Sequence, residues 1–222
     1  MAEVHTAIRQ AERQAGRSPG SVVLLPVSKG HPLEVVVMAA KAGQASLGEN
    51  YLQECEAKAL ALHALDLEPV HWHLLGHLQG NKARRAAERF SVVETVDSLE
   101  LAQRLSAARA GKARLPVLCE VELTGRPQRS GFAASQLLAE FSQLVELEGI
   151  ELQGLMTVAA PESPSEAFSA ARGILEQLRE LSGLPLPTLS MGMSGDFQAA
   201  IAEGSTEVRI GSLLFGERPG RV

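Results

Sequence analysis

Lys29 closes an apolar run, Val22-Val23-Leu24-Leu25-Pro26-Val27-Ser28-Lys29-Gly30, that reads as a buried strand. Lys41, Lys58, Lys82 and Lys112 instead fall in helix-like stretches or beside turn signals, where a solvated amine is expected. Arginine keeps its proton in a protein, whereas a desolvated lysine can release it and attack carbonyl carbon. A strand-end lysine can also snorkel to solvent, so position alone leaves both readings open. Far along the chain, Gly192-Met193-Ser194 and Gly211-Ser212 are small, hydroxyl-bearing and glycine-flanked. Backbone N–H groups at such turns and at helix N-termini bind phosphate, although glycines of this kind also serve as plain turn punctuation. Arg209 alternates with apolar neighbours in Glu207-Val208-Arg209-Ile210. If Ile210 faces the helices, Arg209 and Gly211 share the opposite face and Arg209 points inward. A buried arginine there needs a carboxylate or a ligand heteroatom as partner. A carbonyl for Lys29, a ring atom for Arg209 and a phosphate for Ser194 and Gly211 together describe pyridoxal 5′-phosphate.

These residues need a scaffold that brings distant strand ends together. After an opening helix around Val4–Ala15, β-rich runs occur at 22–28, 45–48, 70–75, 92–96, 116–123, 150–158, 187–192 and 207–214. Helical patterns lie between them, among them Leu33–Ala42, Leu52–Leu65, Leu99–Ala108, Ala134–Leu147 and Ser165–Leu181. Capping signals open two of these, at Asp97-Ser98-Leu99-Glu100 and Ser163-Pro164-Ser165-Glu166. Gly43, Gly111, Gly149, Gly183 and Gly204 fall where helices should stop. Repeated strand–helix units make a parallel α/β sheet, open or closed. About eight units in 222 residues suit a single-domain (β/α)8 barrel of the TIM type, in which function collects at the C-terminal strand ends. A doubly wound sheet would serve the first half equally well.

Composition narrows the class. A chain of 222 residues, 45% hydrophobic, favours one large core over two small ones. The net charge of −5 argues against a nucleic-acid surface, and one tryptophan and one tyrosine leave no platform for stacking bases. No apolar run reaches the roughly 18 residues of a membrane span, and the N-terminus has no signal-like core, so a cytoplasmic protein is expected. Cys55 and Cys119 show neither metal nor redox spacing. His71, His73 and His77 invite a metal reading, but no cysteine or acid lies near them in sequence, and a structural or pocket-lining role is the expectation. Glu49 and Glu54 have the types of a catalytic pair, yet Glu54 reads as a solvated helix residue.

Motifs spread along the chain bear a family resemblance. They are Val27-Ser28-Lys29, Gly48-Glu49-Asn50-Tyr51-Leu52-Gln53-Glu54 and Trp72-His73-Leu74-Leu75-Gly76-His77-Leu78-Gln79-Gly80-Asn81-Lys82. Further on come Gly154-Leu155-Met156-Thr157, Leu189-Ser190-Met191-Gly192-Met193-Ser194 and Val208-Arg209-Ile210-Gly211 with Phe215-Gly216. In this order they closely resemble the pyridoxal-phosphate homeostasis protein family, small single-domain relatives of the alanine racemase N-terminal barrel. The resemblance implies one barrel domain over residues 1–222. It implies that Lys29 forms a Schiff base with pyridoxal 5′-phosphate, and that Ser194, Gly211 and Ser212 hold the phosphate. It further implies that Arg209 faces the pyridine nitrogen and that Asn50 lies beside the ring. The chain departs from the family at Arg126-Pro127-Gln128-Arg129-Ser130-Gly131, and at Gly195, where many members carry an acid before Asp196.

The same resemblance leaves two functional classes: a carrier of the cofactor in vitamin B6 homeostasis, and an amino-acid racemase or related enzyme. An arginine at the pyridine nitrogen disfavours its protonation and weakens the ring as an electron sink, although alanine racemase tolerates one. Racemisation also needs an acid/base group opposite the lysine, which in alanine racemase is a tyrosine from the second domain of the partner subunit. Tyr51 belongs to a matched motif and starts a helix, and no second domain is expected. The expectation is therefore a non-catalytic monomer whose partners are the cofactor and apo-enzymes that receive it, with no metal.

Overall fold

The computed structural model describes residues 1–67, 69–126 and 128–217. Pro127, in the divergent loop noted above, and residues 218–222 lie outside the described residues. Eight strands form one sheet: β1 (Val23–Pro26), β2 (Ser46–Glu49), β3 (His71–Leu74), β4 (Val92–Val96), β5 (Leu115–Glu120), β6 (Ile150–Met156), β7 (Thr188–Ser190) and β8 (Glu207–Ile210). Every paired neighbour is parallel, in the order β1-β8-β7-β6-β5-β4-β3-β2. The ends of this order meet at a bridge between Val27 and Gly48, where Ser28 N–H donates to Gly48 O at 3.0 Å. That bridge closes the sheet into a (β/α)8 barrel and excludes the open doubly wound alternative. The closing bonds lie immediately before Lys29, so the chain leaves the barrel wall at that residue.

The helices follow the apolar spacing in the sequence. They are α1 (Ala2–Gln14), α2 (Leu33–Lys41), α3 (Leu52–Ala64), α4 (Ala83–Arg89), α5 (Leu99–Ala108), α6 (Ala134–Val145), α7 (Pro164–Ser182), α8 (Phe197–Ala202) and α9 (Ser212–Phe215). Ser98 caps α5 by accepting from Leu101 N–H, as its sequence signal implies. Ser163 makes no side-chain cap, and Pro164 instead opens α7. Gly183 ends α7 at φ 67°, a left-handed turn that suits glycine.

The barrel strands bury apolar side chains against this outer ring. Val208 and Ile210 of β8 pack with Val4 and Ile8 of α1 and with Phe197 and Ile201 of α8. Alternation along the strand then turns Glu207 and Arg209 towards the barrel interior. The last strand is shorter than its sequence pattern implies. It stops at Ile210, and Gly211 turns the chain into α9, where its carbonyl accepts from Leu214 and Phe215 N–H. The apolar run Leu213-Leu214-Phe215 is thus helical. Among the described residues, no helix is long and apolar enough to cross a membrane.

Candidate functional site

Lys29, Asn50, Ser194, Arg209, Gly211 and Ser212 all line one cleft of about 450 Å³ at the C-terminal mouth of the barrel. They arrive from the ends of β1, β2, β7 and β8, so only the closed barrel makes them neighbours.

Lys29 sits on the turn between β1 and α2, and a buried charge cluster grips that turn from beneath. Lys58, on α3, is 6% exposed. Its Nζ donates to Ser28 O at 2.8 Å, to Glu49 Oε1 at 2.7 Å and to Glu54 Oε1 at 2.7 Å. Ser28 Oγ donates to Glu49 Oε1 at 2.6 Å, and Gly30 N–H donates to Glu54 Oε1 at 2.7 Å. Burial pushes the Glu49 carboxyl up while Lys58 and Ser28 oppose that push. Two expectations need correction here. Lys58 is not a solvated amine, and Glu54 is bonded to Lys58 and to the Lys29 turn rather than solvated. The Glu54–Lys58 spacing of four residues looks like an ordinary surface pair, and nothing local distinguishes it from one.

Arg209 is 4% exposed and points into the barrel. Its guanidinium donates to Ser190 Oγ at 2.9 Å and to Thr157 O at 2.8 Å. Ser190 Oγ donates onward to Glu94 Oε2 at 2.7 Å, and Glu94 Oε1 pairs with His73 Nδ1 at 2.8 Å. The carboxylate partner a buried arginine needs is therefore reached through a serine. His73, Glu94 and Glu207 converge, with one ligand-type atom of each within 4.8 Å of the others. The sequence placed no acid beside His73. The barrel brings Glu94 and Glu207 there from β4 and β8.

Charge is balanced inside this group. Burial opposes the charged form of His73 and of Glu94. Their mutual bond overcomes it, raising the imidazole pKa and lowering that of the carboxyl. Glu207 has no such bond for its Oε1. Burial, followed by the Glu94 charge, lifts its carboxyl to about 8. His71 is exposed, and His77 pairs with Asp97 at 2.9 Å on the surface.

Across the cleft, Ser194 lies on a turn tied by Asp196, whose Oδ1 accepts from Met193 N–H at 2.6 Å. Asp196, the acid that remains beside Gly195, is thus engaged within its own turn. Ser194 Oγ accepts from Leu213 N–H at 3.4 Å, which joins this turn to the start of α9. Gly211 faces the end of β1, where a Cβ would stand 3.2 Å from Val27 O. Its lack of a side chain lets β8 and β1 close together as well as opening the cleft. Asn50 presents a buried Oδ1 without a partner. Two further lining residues had no sequence signal. His31 packs edge-on against Phe215 with ring centroids 5.5 Å apart, and Arg129, from the divergent loop, donates to Val158 O at 3.3 Å.

A lysine, a buried arginine and small hydroxyl residues at the mouth of this barrel define the alanine racemase N-terminal class. The family model described as "Alanine racemase, N-terminal domain" matches residues 5–219. Within that class, the chain belongs to the pyridoxal phosphate homeostasis protein family. It is 44% identical over 219 residues to the pyridoxal phosphate homeostasis protein of Pseudomonas aeruginosa, covering 98% of this chain and 94% of that one. Identity to the Escherichia coli K12 protein of the same name is 39% over 224 residues, covering 98% and 95%. Among solved structures, PipY of Synechococcus elongatus with PLP bound is 38% identical with a TM-score of 0.83, covering 94% of this chain and 100% of that one. An alanine racemase of Clostridium difficile shares the fold at 16% identity and a TM-score of 0.72, and this chain spans 57% of it.

Proposed function

We propose that this protein is one barrel domain that binds pyridoxal 5′-phosphate, holds it covalently on Lys29 and serves intracellular vitamin B6 homeostasis without turning over amino acids. The observation that carries the reading is the convergence of Lys29, Arg209, Asn50, Ser194, Gly211 and Ser212 on one cleft. The donor chemistry fits the group. The orphaned Asn50 Oδ1 marks a polar position awaiting a ligand, and Ser194 and Ser212 offer hydroxyls to an oxyanion. The name shared by the relatives, and the PLP bound to PipY, support the same reading.

When bound, the group supplies an electrophilic aldehyde carbon. Lys29 would hold it there as a Schiff base, its Nζ replacing the aldehyde oxygen, which would leave as water. Arg209, fixed by Ser190 and Thr157, would face the pyridine nitrogen and disfavour its protonation. Ser194, Ser212 and the Gly211 backbone receive the phosphate.

The acid/base groups that line the cleft among the described residues support the carrier reading. Racemisation needs a proton acceptor on each face of the reacting carbon, and Lys29 supplies one. Tyr51, the chain's only tyrosine, is 57% exposed at the start of α3 and is not a lining residue of the cleft. His31 does line the cleft but is buried against Phe215.

The test has two arms. Loaded protein mixed with an apo-enzyme that requires the cofactor should restore its activity. Cα–H exchange of L-amino acids in heavy water, followed by NMR, should stay near the rate given by free pyridoxal phosphate. Exchange far above that control, and lost in Lys29→Ala, would overturn the carrier reading in favour of the racemase.

A further inference from the structure

We propose that Lys58, Glu54 and Glu49 are positioning residues for Lys29: they set the trajectory of its amine and hence the rate at which it captures an aldehyde. The inference rests on the reading of Lys29 as the covalent anchor, and it concerns residues outside the cleft lining.

The residues on both sides of Lys29 are held by this cluster. On the N-terminal side, Ser28 donates through its hydroxyl to Glu49 and accepts through its carbonyl from Lys58. On the C-terminal side, the Gly30 amide is held by Glu54. Glu54 and Glu49 are joined through Lys58, which bonds both. The backbone on either side of the anchor is therefore fixed to one buried ammonium.

The arrangement is expensive for a merely structural device. An ammonium and a carboxylate are held at 7% and 0% side-chain exposure, and isosteric apolar packing at such a site is commonly as stable or more so. Gly30 adopts φ 69°, so the chain turns sharply just after Lys29. Capture of a carbonyl carbon requires the amine within a narrow range of distance and angle. Charged bonds to both flanking residues restrict the backbone part of that search. The carboxylate of Glu54 sits nearest the surface, with 24% of its side chain exposed, and can be changed without opening the core.

The experiment separates positioning from folding. Glu54→Ala, Glu54→Gln and Lys58→Met are compared with the wild type by three readouts: the stopped-flow rate of the visible absorbance change on adding pyridoxal phosphate, the calorimetric affinity for 4′-deoxypyridoxine phosphate, and the melting temperature. The deoxy analogue keeps the ring and phosphate but has no aldehyde, so it reports the cleft without the covalent step. Glu54→Ala should slow capture by about 10- to 100-fold, the cost of about 1 Å of misplacement, while analogue affinity stays within about twofold. Glu54→Gln keeps an acceptor for the Gly30 amide and should recover most of the lost rate. Lys58→Met should slow capture at least as much as Glu54→Ala, and the milder Glu54 variants carry the test if it fails to fold. Unchanged capture rates in folded variants, or parallel loss of capture and analogue affinity, overturn the positioning role alone. A wild-type protein that binds the analogue but never reacts with the aldehyde overturns the reading of Lys29 and this inference with it.

Discussion

The turn that carries Lys29 is tied to a buried lysine and two carboxylates, whereas the segments that carry Ser194 and Ser212 are tied within themselves and joined to each other by one long bond. On the first side, Lys58 alone makes three charged bonds of 2.8 Å or less. On the second, a 3.4 Å bond from Leu213 N–H to Ser194 Oγ joins two short surface turns, with Ser212 exposed. The difference matches what each side is proposed to do. A covalent anchor needs a fixed direction, and a direction is fixed by a rigid support beneath it. A phosphate needs several donors around a spherical charge, and backbone and hydroxyl groups on turns provide these without deep burial.

The contrast gives graded expectations. Lys58→Met should have the largest effect on the protein itself, because it leaves Glu49 and Glu54 without their shared cation. Breaking a buried pair on one side costs roughly 3–5 kcal/mol, to be read from denaturant midpoints at unchanged slope. A loss under about 1 kcal/mol would show that the anchor side is no more rigidly supported than the phosphate side. Ser194→Ala should leave stability almost unchanged and weaken retention of pyridoxal phosphate by about 1–3 kcal/mol, the scale of a hydrogen bond to a charged group. Equal retention of pyridoxal and its phosphate ester in equilibrium dialysis would remove the phosphate role from that side altogether.

A pH-dependent effect lies below both regions, at Glu207. Its carboxyl is lifted from 4.5 to about 8, first by burial and then by the charge of Glu94. Between these values the folded protein keeps a proton that the unfolded chain has lost, so stability falls as pH rises from about 4.5 to about 8. Glu207→Gln needs no proton and should remove this part of the slope. Its melting temperature should match the wild type near pH 4.5 and exceed it increasingly towards pH 8. A variant that is less stable than wild type at pH 8 would show that the ionised Glu207 is paired in the folded state.

Much of the architecture was legible because strand and helix periods differ along the chain. The eight strands were found in order, and α5 was bounded correctly at Leu99–Ala108 because a serine cap and apolar spacing agree there. The end of β8 is hidden in the sequence because Ser212-Leu213-Leu214-Phe215 is apolar enough to continue a strand. Gly211-Ser212 does signal a turn, but the apolar Leu213-Leu214-Phe215 beyond it masks where the strand ends. The cleft residues were legible because their types are unusual for strand ends. Their supports were not. Lys58 and Glu54 have the spacing of a solvated pair, and Ser190, Thr157 and Glu94 are unremarkable in their own strands. Only barrel closure brings those residues beneath Arg209.

The central claim is that Lys29 is the covalent anchor. Borohydride reduction of the protein with bound pyridoxal phosphate, followed by proteolysis and mass spectrometry, tests it most directly. The account predicts one stable adduct, on the peptide containing Lys29, and none in Lys29→Ala or Lys29→Arg. A reduced adduct on Lys58, Lys41, Lys82 or Lys112 with Lys29 unmodified, or an adduct that persists in Lys29→Ala, would contradict it.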